Sequence, residues 1–121
     1  MPSTSSAAEF ALCVGEDIWD RVEAVLQSGV QLAVATTGGG VELASWLVNH
    51  PGASRAIVEV QVPYSEAALA SYLGCAGPHR VEEKTARELA GRAYARAVEF
   101  SGREEGVVGV GCTAALATNR A

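Results

Sequence analysis

Short apolar segments alternate with amphipathic segments along most of the chain, and this alternation restricts the fold more than any other feature. The segments with strand character are 31–36, 55–62 and 106–118. The segments with helical periodicity are about 7–27, 41–48, 65–74 and 82–100. The order α-β-α-β-α-α-β predicts a layered α/β/α domain built around a parallel or mixed sheet.

The first two predicted strands have different patterns. Segment 31–36 is apolar at most positions, so we expect an inner strand that is covered on both faces. In 55–62, "RAIVEVQV", strict alternation places Ile57 on one face and Val58, Val60 and Val62 on the other.

Composition limits the class of protein and its partners. The chain has 121 residues, 49% of them hydrophobic and 19% charged, which fits one globular domain over 1–121 with a disordered lead-in at 1–6. The net charge of −5 disfavours binding to nucleic acid and to anionic membranes. The N-terminus lacks the features of a secretory signal, and no apolar run reaches the ~18 residues that span a bilayer. The three cysteines form no C-x-x-C pair, so we predict reduced thiols and a cytoplasmic location.

Polar and glycine-rich segments follow each predicted strand: "TTGGG", "PYS" and "GCT". Because ligands bind at the carboxyl ends of parallel strands, we expect these segments to converge on one site. The candidate ligand-binding residues are Thr36, Thr37, Gly38, Gly39, Gly40, Tyr64, Ser65, Cys112 and Thr113.

Each candidate also has a purely structural interpretation. The glycine run 38–40 can serve a tight strand-to-helix turn, or it can let backbone amides bind an anion. Ser65 and one of Thr36 and Thr37 can cap helices, and Cys112 can be a buried thiol. Neither histidine has metal-ligand spacing to a second donor, so we predict no metal site and no cofactor.

The motifs in their order resemble the C-terminal domain of the CinA family, whose best-known activity is deamidation of nicotinamide mononucleotide. Five stretches of this chain correspond to the family's motifs, which are E-S-C-T-G-G, P-G-[AS]-S, Y-S-N-x-x-K, [VS]-x-x-T-A-x-x-[ML]-A and T-G-I-A-G-P. These stretches are A-T-T-G-G-G (35–40), P-G-A-S (51–54), P-Y-S-E-A-A-L (63–69), V-E-E-K-T-A-R-E-L-A (81–90) and V-G-C-T-A-A (110–115).

The departures from that pattern concern catalysis. The family's nucleophilic serine falls on Ala35 or Thr36, and its lysine falls on Leu69. Thr36 is therefore a weak candidate nucleophile, with no obvious base to deprotonate it. The resemblance implies a domain that binds a nucleotide or phosphate with degraded catalysis. An active amidohydrolase and a ligand-free structural or oligomerising module are the alternatives.

The resemblance also bears on partners. "T-G-G-G" and "G-V-G-C-T-A-A-L-A-T" resemble a divergent branch in which this domain precedes a nucleotidyltransferase-like domain. The family's domain continues beyond the third strand with a further strand and a helix. The resemblance thus implies a truncated domain with an uncovered sheet edge, and a homo-oligomer or a fused partner domain.

Overall fold

The computed structural model describes residues 15–115, so the predicted lead-in at 1–6 and the start of the first predicted helix lie outside the described range. The helices are α1 (Glu16–Gln27), α2 (Glu42–Val48), α3 (Glu66–Leu73) and α4 (Glu83–Ser101). The strands are β1 (Gln31–Gly38), β2 (Ile57–Gln61) and β3 (Val107–Ala114), and Ala53–Arg55 forms a turn of 3-10 helix. Within 15–115, no helix combines the length and the apolar character that crossing a bilayer requires.

The three strands form a parallel sheet in the order β2-β1-β3. β1 is central, and its residues from Leu32 to Thr37 are all buried. The predicted α/β class and the predicted inner strand are therefore confirmed, and the sheet is parallel rather than mixed.

Alternation along β1 divides the core into two apolar clusters, one on each face of the sheet. Leu32 and Val34 pack with Val22 of α1 and Leu47 of α2. The second cluster comprises Ala33, Ala35, Leu69, Leu89, Ala93 and Ala97, which brings in α3 and α4. Helices thus cover both faces of the sheet.

α4 lies unusually close to β3, because β3 has glycines at two positions facing the helix. A Cβ atom at Gly109 would overlap the backbone at Ala90 and Tyr94. A Cβ atom at Gly111 would overlap the backbone at Ala86 and Ala90. Glycine on the strand and alanine on the helix therefore let the two backbones approach each other.

The faces predicted for β2 are wrong for Val60. Val58 packs against the α3–α4 cluster, whereas Ile57 and Val60 pack against the α1–α2 cluster. The cause is a register shift: Leu32 pairs with Ile57, but the next residue of β1 pairs with Glu59. One extra residue of β2 therefore interrupts the strict alternation.

Glu59 of β2 also forms the polar link between the sheet and α4. Two nitrogens of Arg96 donate to its two carboxylate oxygens, and Nη2 to Oε2 is 3.1 Å. Both side chains are about three-quarters buried or more, with 24% and 20% of the Arg96 and Glu59 surfaces exposed. Hydrogen bonding to Arg96 lowers the pKa of the Glu59 carboxyl below its usual value, although partial burial opposes this.

Candidate functional site

A small cleft lies at the carboxyl ends of the strands, where the sequence predicts a site. We call it the strand-end cleft, and its volume is about 140 Å³. Its lining residues are Thr37, Gly38, Tyr64, Glu66, Leu69, His79, Val81, Thr113 and Ala114. The ends of β1 and β3 and the segment that follows β2 therefore contribute to one cleft, as expected for a parallel sheet.

The alternation of side chains along β1 and β3 places the predicted site residues on two faces of the sheet. Thr37 pairs with Thr113, and both line the strand-end cleft. Thr36 pairs with Cys112, one residue earlier on both strands. Because neighbouring residues of a strand point to opposite faces, these two side chains lie on the other side of the sheet.

Thr36 is fully buried on that side. Its Oγ1 atom has no exposed surface and no hydrogen-bond partner in the described part of the chain. A substrate would reach this hydroxyl only after the turn above it moved. The geometry thus gives no support to Thr36 as a nucleophile.

Two of the three glycines, Gly38 and Gly40, have a structural reason to be where they are. Gly38 has φ of +84°, and a Cβ atom there would overlap the carbonyl oxygen of Ala114. The Gly39 amide donates to that same oxygen at 3.0 Å. A Cβ atom at Gly40 would lie 2.5 Å from Cys112 Sγ and 2.8 Å from Thr36 Oγ1. The turn after β1 is therefore packed tightly onto the end of β3.

These contacts bear on the interpretation of the glycine run as an anion site. The Gly39 amide is already engaged, and the helix that follows the turn has Glu42 in its first turn. A carboxylate at that position opposes an anion near the helix start. The cradle formed by 38–40 remains a prediction, and the strand-end cleft beside it is the better-formed ligand site.

After β2, the structure separates the roles of Tyr64 and Ser65. The Ser65 hydroxyl accepts from the Ala68 amide at 3.1 Å and caps the start of α3. Tyr64 is 75% exposed and lines the strand-end cleft. Tyr64 is accordingly available to a ligand, whereas the Ser65 oxygen already has a structural partner.

The two histidines have different surroundings. The His50 ring is buried and stacks on Trp19 with 4.0 Å between ring centroids. His79 is half-buried and lines the strand-end cleft. Its Nε2 atom lies 3.0 Å from the carbonyl oxygen of Cys75 and 3.9 Å from the Cys75 sulfur. Sequence reasoning missed His79 as a site residue, since its position beside Pro78 in a loop is not informative.

A second surface feature lies on the opposite face of the sheet. An apolar groove of about 610 Å³ runs between α1 and β3. Val22 and Val25 of α1 line one side, and Val108 and Val110 of β3 line the other. Val25 and Val108 are 41% and 38% exposed, so apolar side chains here contact water.

Comparison with family models, with curated proteins and with solved structures finds no match for this chain. The fold and the strand-end cleft are therefore described from the chain's own residues, and the likeness to the CinA C-terminal domain remains an expectation.

Proposed function

We propose that this domain binds a small nucleotide at the strand-end cleft and has lost the catalytic groups of an amidase. One observation carries this proposal: the ends of β1 and β3 and the segment that follows β2 line a single cleft. Hydroxyl groups come from Thr37, Tyr64 and Thr113, and an imidazole comes from His79. Hydroxyl and imidazole N–H groups donate hydrogen bonds of the kind that phosphate oxygens accept.

The cleft also contains a carboxylate, and this favours a nucleotide over free phosphate. Glu66 lines the cleft and carries a negative charge that repels an anion. A carboxylate is, however, a common acceptor for the ribose hydroxyls of nucleotides. A ligand with both a phosphate and a sugar therefore matches the cleft better than phosphate alone.

Volume limits how much of the ligand the cleft can enclose. Small-molecule pockets usually measure about 300–1,000 Å³, and this cleft measures about 140 Å³. We expect it to hold one part of the ligand, such as the phosphate with part of the ribose. The base would then lie outside, near the exposed ring of Tyr64, on which it can stack.

The proposal is tested by calorimetry and thermal unfolding with a panel of mononucleotides, including nicotinamide mononucleotide, and with inorganic phosphate. At 100 times its dissociation constant, a ligand should stabilise the folded state by about 2.7 kcal/mol. Thr37→Val and Thr113→Val should each weaken binding, because each removes a hydroxyl from the cleft. Ser71→Ala is the matched control, since this exposed hydroxyl of α3 lies away from the cleft.

Two results would decide against the proposal. If no mononucleotide at millimolar concentration changes the melting temperature of the folded protein, the cleft does not bind nucleotides. If ammonia is released from nicotinamide mononucleotide and this turnover is lost in Thr37→Val, the domain is an active amidohydrolase and catalysis is not degraded.

A further inference from the structure

Three side chains with different metal-binding atoms meet beside the loop between α3 and α4. Cys75 follows α3, His79 lies in the loop, and Glu88 lies on α4. The Cys75 sulfur is 3.9 Å from His79 Nε2 and 3.9 Å from Glu88 Oε2. All three donor atoms lie within 4.8 Å of one another.

Local structure holds this cluster in place. Gly74 ends α3 in the left-handed conformation, with φ of +75°, and its amide donates to Ala70. The Cys75 amide also donates to the Ala70 carbonyl, at 3.2 Å. These bonds fix Cys75 at the end of α3. The loop returns toward this residue, and His79 Nε2 lies 3.0 Å from the Cys75 carbonyl oxygen. Glu88 comes from the second turn of a helix of 19 residues, a rigid support.

The separations are close to those of a coordinated ion. For tetrahedral zinc with Zn–S of about 2.3 Å and Zn–N or Zn–O of about 2.0–2.2 Å, the sulfur lies ~3.6 Å from each of the other donors. The observed 3.9 Å exceeds this by a few tenths of an ångström. Small side-chain rotations therefore suffice for the sulfur to share one ion with either of the other donors, and the His79 and Glu88 donor atoms are themselves within 4.8 Å of each other.

The donor types identify the class of metal. A thiolate and an imidazole select borderline or soft transition metals, whereas Mg²⁺ and Ca²⁺ require oxygen ligands. We propose that Cys75, His79 and Glu88 bind one divalent transition-metal ion of the Zn²⁺ class, with its fourth coordination position open to solvent. The space beside the cluster, about 280 Å³ and also lined by Glu82, has room for a water molecule at that position.

Two interactions compete with an ion. The His79 Nε2 atom lies 3.0 Å from the Cys75 carbonyl oxygen, which can only accept, so this nitrogen must give up its proton and that hydrogen bond to coordinate a metal. The second interaction is weak. Lys84 Nζ lies 3.9 Å from Glu88 Oε1, and the lysine side chain is 81% exposed. Exposed ion pairs of this kind contribute about 0–1 kcal/mol. The other carboxylate oxygen, Oε2, is the one that faces the sulfur. The lysine therefore leaves a coordinating oxygen available.

Titration of the whole chain with Co²⁺ under reducing conditions is the direct test. Co²⁺ replaces Zn²⁺ in such sites, and a cobalt–thiolate bond gives an intense near-ultraviolet absorption band. We expect one Co²⁺ per chain, this band, and its loss when Zn²⁺ is added. Cys75→Ala should abolish the band. His79→Gln and Glu88→Gln should weaken binding by more than the ~10–100-fold typical for loss of an outer-shell partner.

Matched controls separate this cluster from incidental binding. Cys13→Ala and Cys112→Ala remove the other thiols of the chain, and Glu83→Gln removes an exposed carboxylate that pairs with Arg87 instead. All three should bind Co²⁺ as the wild-type protein does. A folded wild-type protein without the thiolate band, or a band that survives in Cys75→Ala, would overturn the proposal. His79 also lines the strand-end cleft, so His79→Gln affects both proposals. Thr37→Val and Thr113→Val should leave the band unchanged, and Cys75→Ala should leave nucleotide binding unchanged, so these variants distinguish the failure of one proposal from the failure of the other.

Discussion

Gly111→Ala should lower the free energy of unfolding by about 3 kcal/mol or more, the upper part of the range for overpacked cores. The added Cβ atom would lie 2.9 Å from Leu89 Cβ and would overlap the backbone at Ala86 and Ala90. Ordinary contacts lie at 3.4–4 Å. Backbone atoms of a helix cannot rotate away, so α4 as a whole must move off β3.

The loss of stability depends on the packing contacts that weaken when α4 moves away from β3. A gap of roughly 0.5–1 Å forfeits about a quarter to a half of the dispersion energy of each contact. The affected surface includes Leu89, Ala93 and Ala97, which belong to α4 and are all fully buried in the core cluster. Because a domain of this size has about 5–15 kcal/mol of stability in total, a loss of 3 kcal/mol is a large fraction.

Gly91→Ala provides a matched control on the same helix. A Cβ atom there meets no other atom within 4 Å. Replacing an exposed helical glycine by alanine should stabilise the protein by about 0.5–1 kcal/mol. Both variants restrict the unfolded chain equally, so the difference between them reports on the folded state.

Urea unfolding monitored by circular dichroism measures the free energy of unfolding of both variants. An m-value equal to that of the wild-type protein shows that the transitions can be compared. The two variants should shift the midpoint in opposite directions. If Gly111→Ala were as stable as Gly91→Ala, the backbones of α4 and β3 could not be as close as described, and the reasoning would be refuted.

Three further predictions concern the ion pair, a helix cap and the apolar groove. Glu59→Gln should cost about 1–2 kcal/mol near pH 7, because Arg96 loses its charged partner in a partly buried position. The pKa of Glu59 is lowered on folding, so its contribution to the free energy of unfolding should be complete above the unfolded pKa of about 4.3 and should disappear as the pH falls further. Unfolding of the wild-type protein and of Glu59→Gln at several pH values checks this. A stability difference between the two that stays constant down to pH 2 would contradict it. Ser65→Ala should destabilise the protein by about 1 kcal/mol through loss of the α3 cap, whereas Ser65→Asn should restore most of it in the same unfolding assay. If a second copy covers the groove, Val108→Lys should shift the chain toward the monomer in sedimentation experiments, because a charge in the groove opposes its burial. A wild-type protein that is monomeric at every concentration would exclude self-association.

The fold was largely predictable because its signals are local. Ser65 and Gly74 mark the two ends of α3 in the sequence, and the structure uses both as caps. Gly102 likewise ends α4 in the left-handed conformation. The register shift in β2 was not predictable, since it depends on pairing with β1 rather than on the sequence of β2. Periodicity alone therefore placed Val60 on the wrong face.

The Cys75–His79–Glu88 cluster shows a second limit of sequence reasoning. Cys75 and His79 are four residues apart, a spacing that by itself did not indicate a metal site. Glu88 joins them only because α4 turns back against the loop, which no local pattern indicates. Spacing rules detect donor groups that one element supplies, and they miss a donor group that a neighbouring helix brings close.

Thr36 and Thr37 illustrate why the sequence could locate the candidate site but could not show which side chains line it. Both residues precede the glycine run, and chemistry alone does not distinguish two adjacent hydroxyls. Strand geometry does, because it directs Thr37 into the strand-end cleft and Thr36 toward Cys112. A nucleophile must reach its substrate, and Thr36 has no exposed surface. The adjacent residue that can contact a ligand, Thr37, is not the one that aligns with the family's serine. A polar strand end that a ligand can reach, beside a hydroxyl that it cannot reach, is the physical reason to expect the proposed binding without turnover.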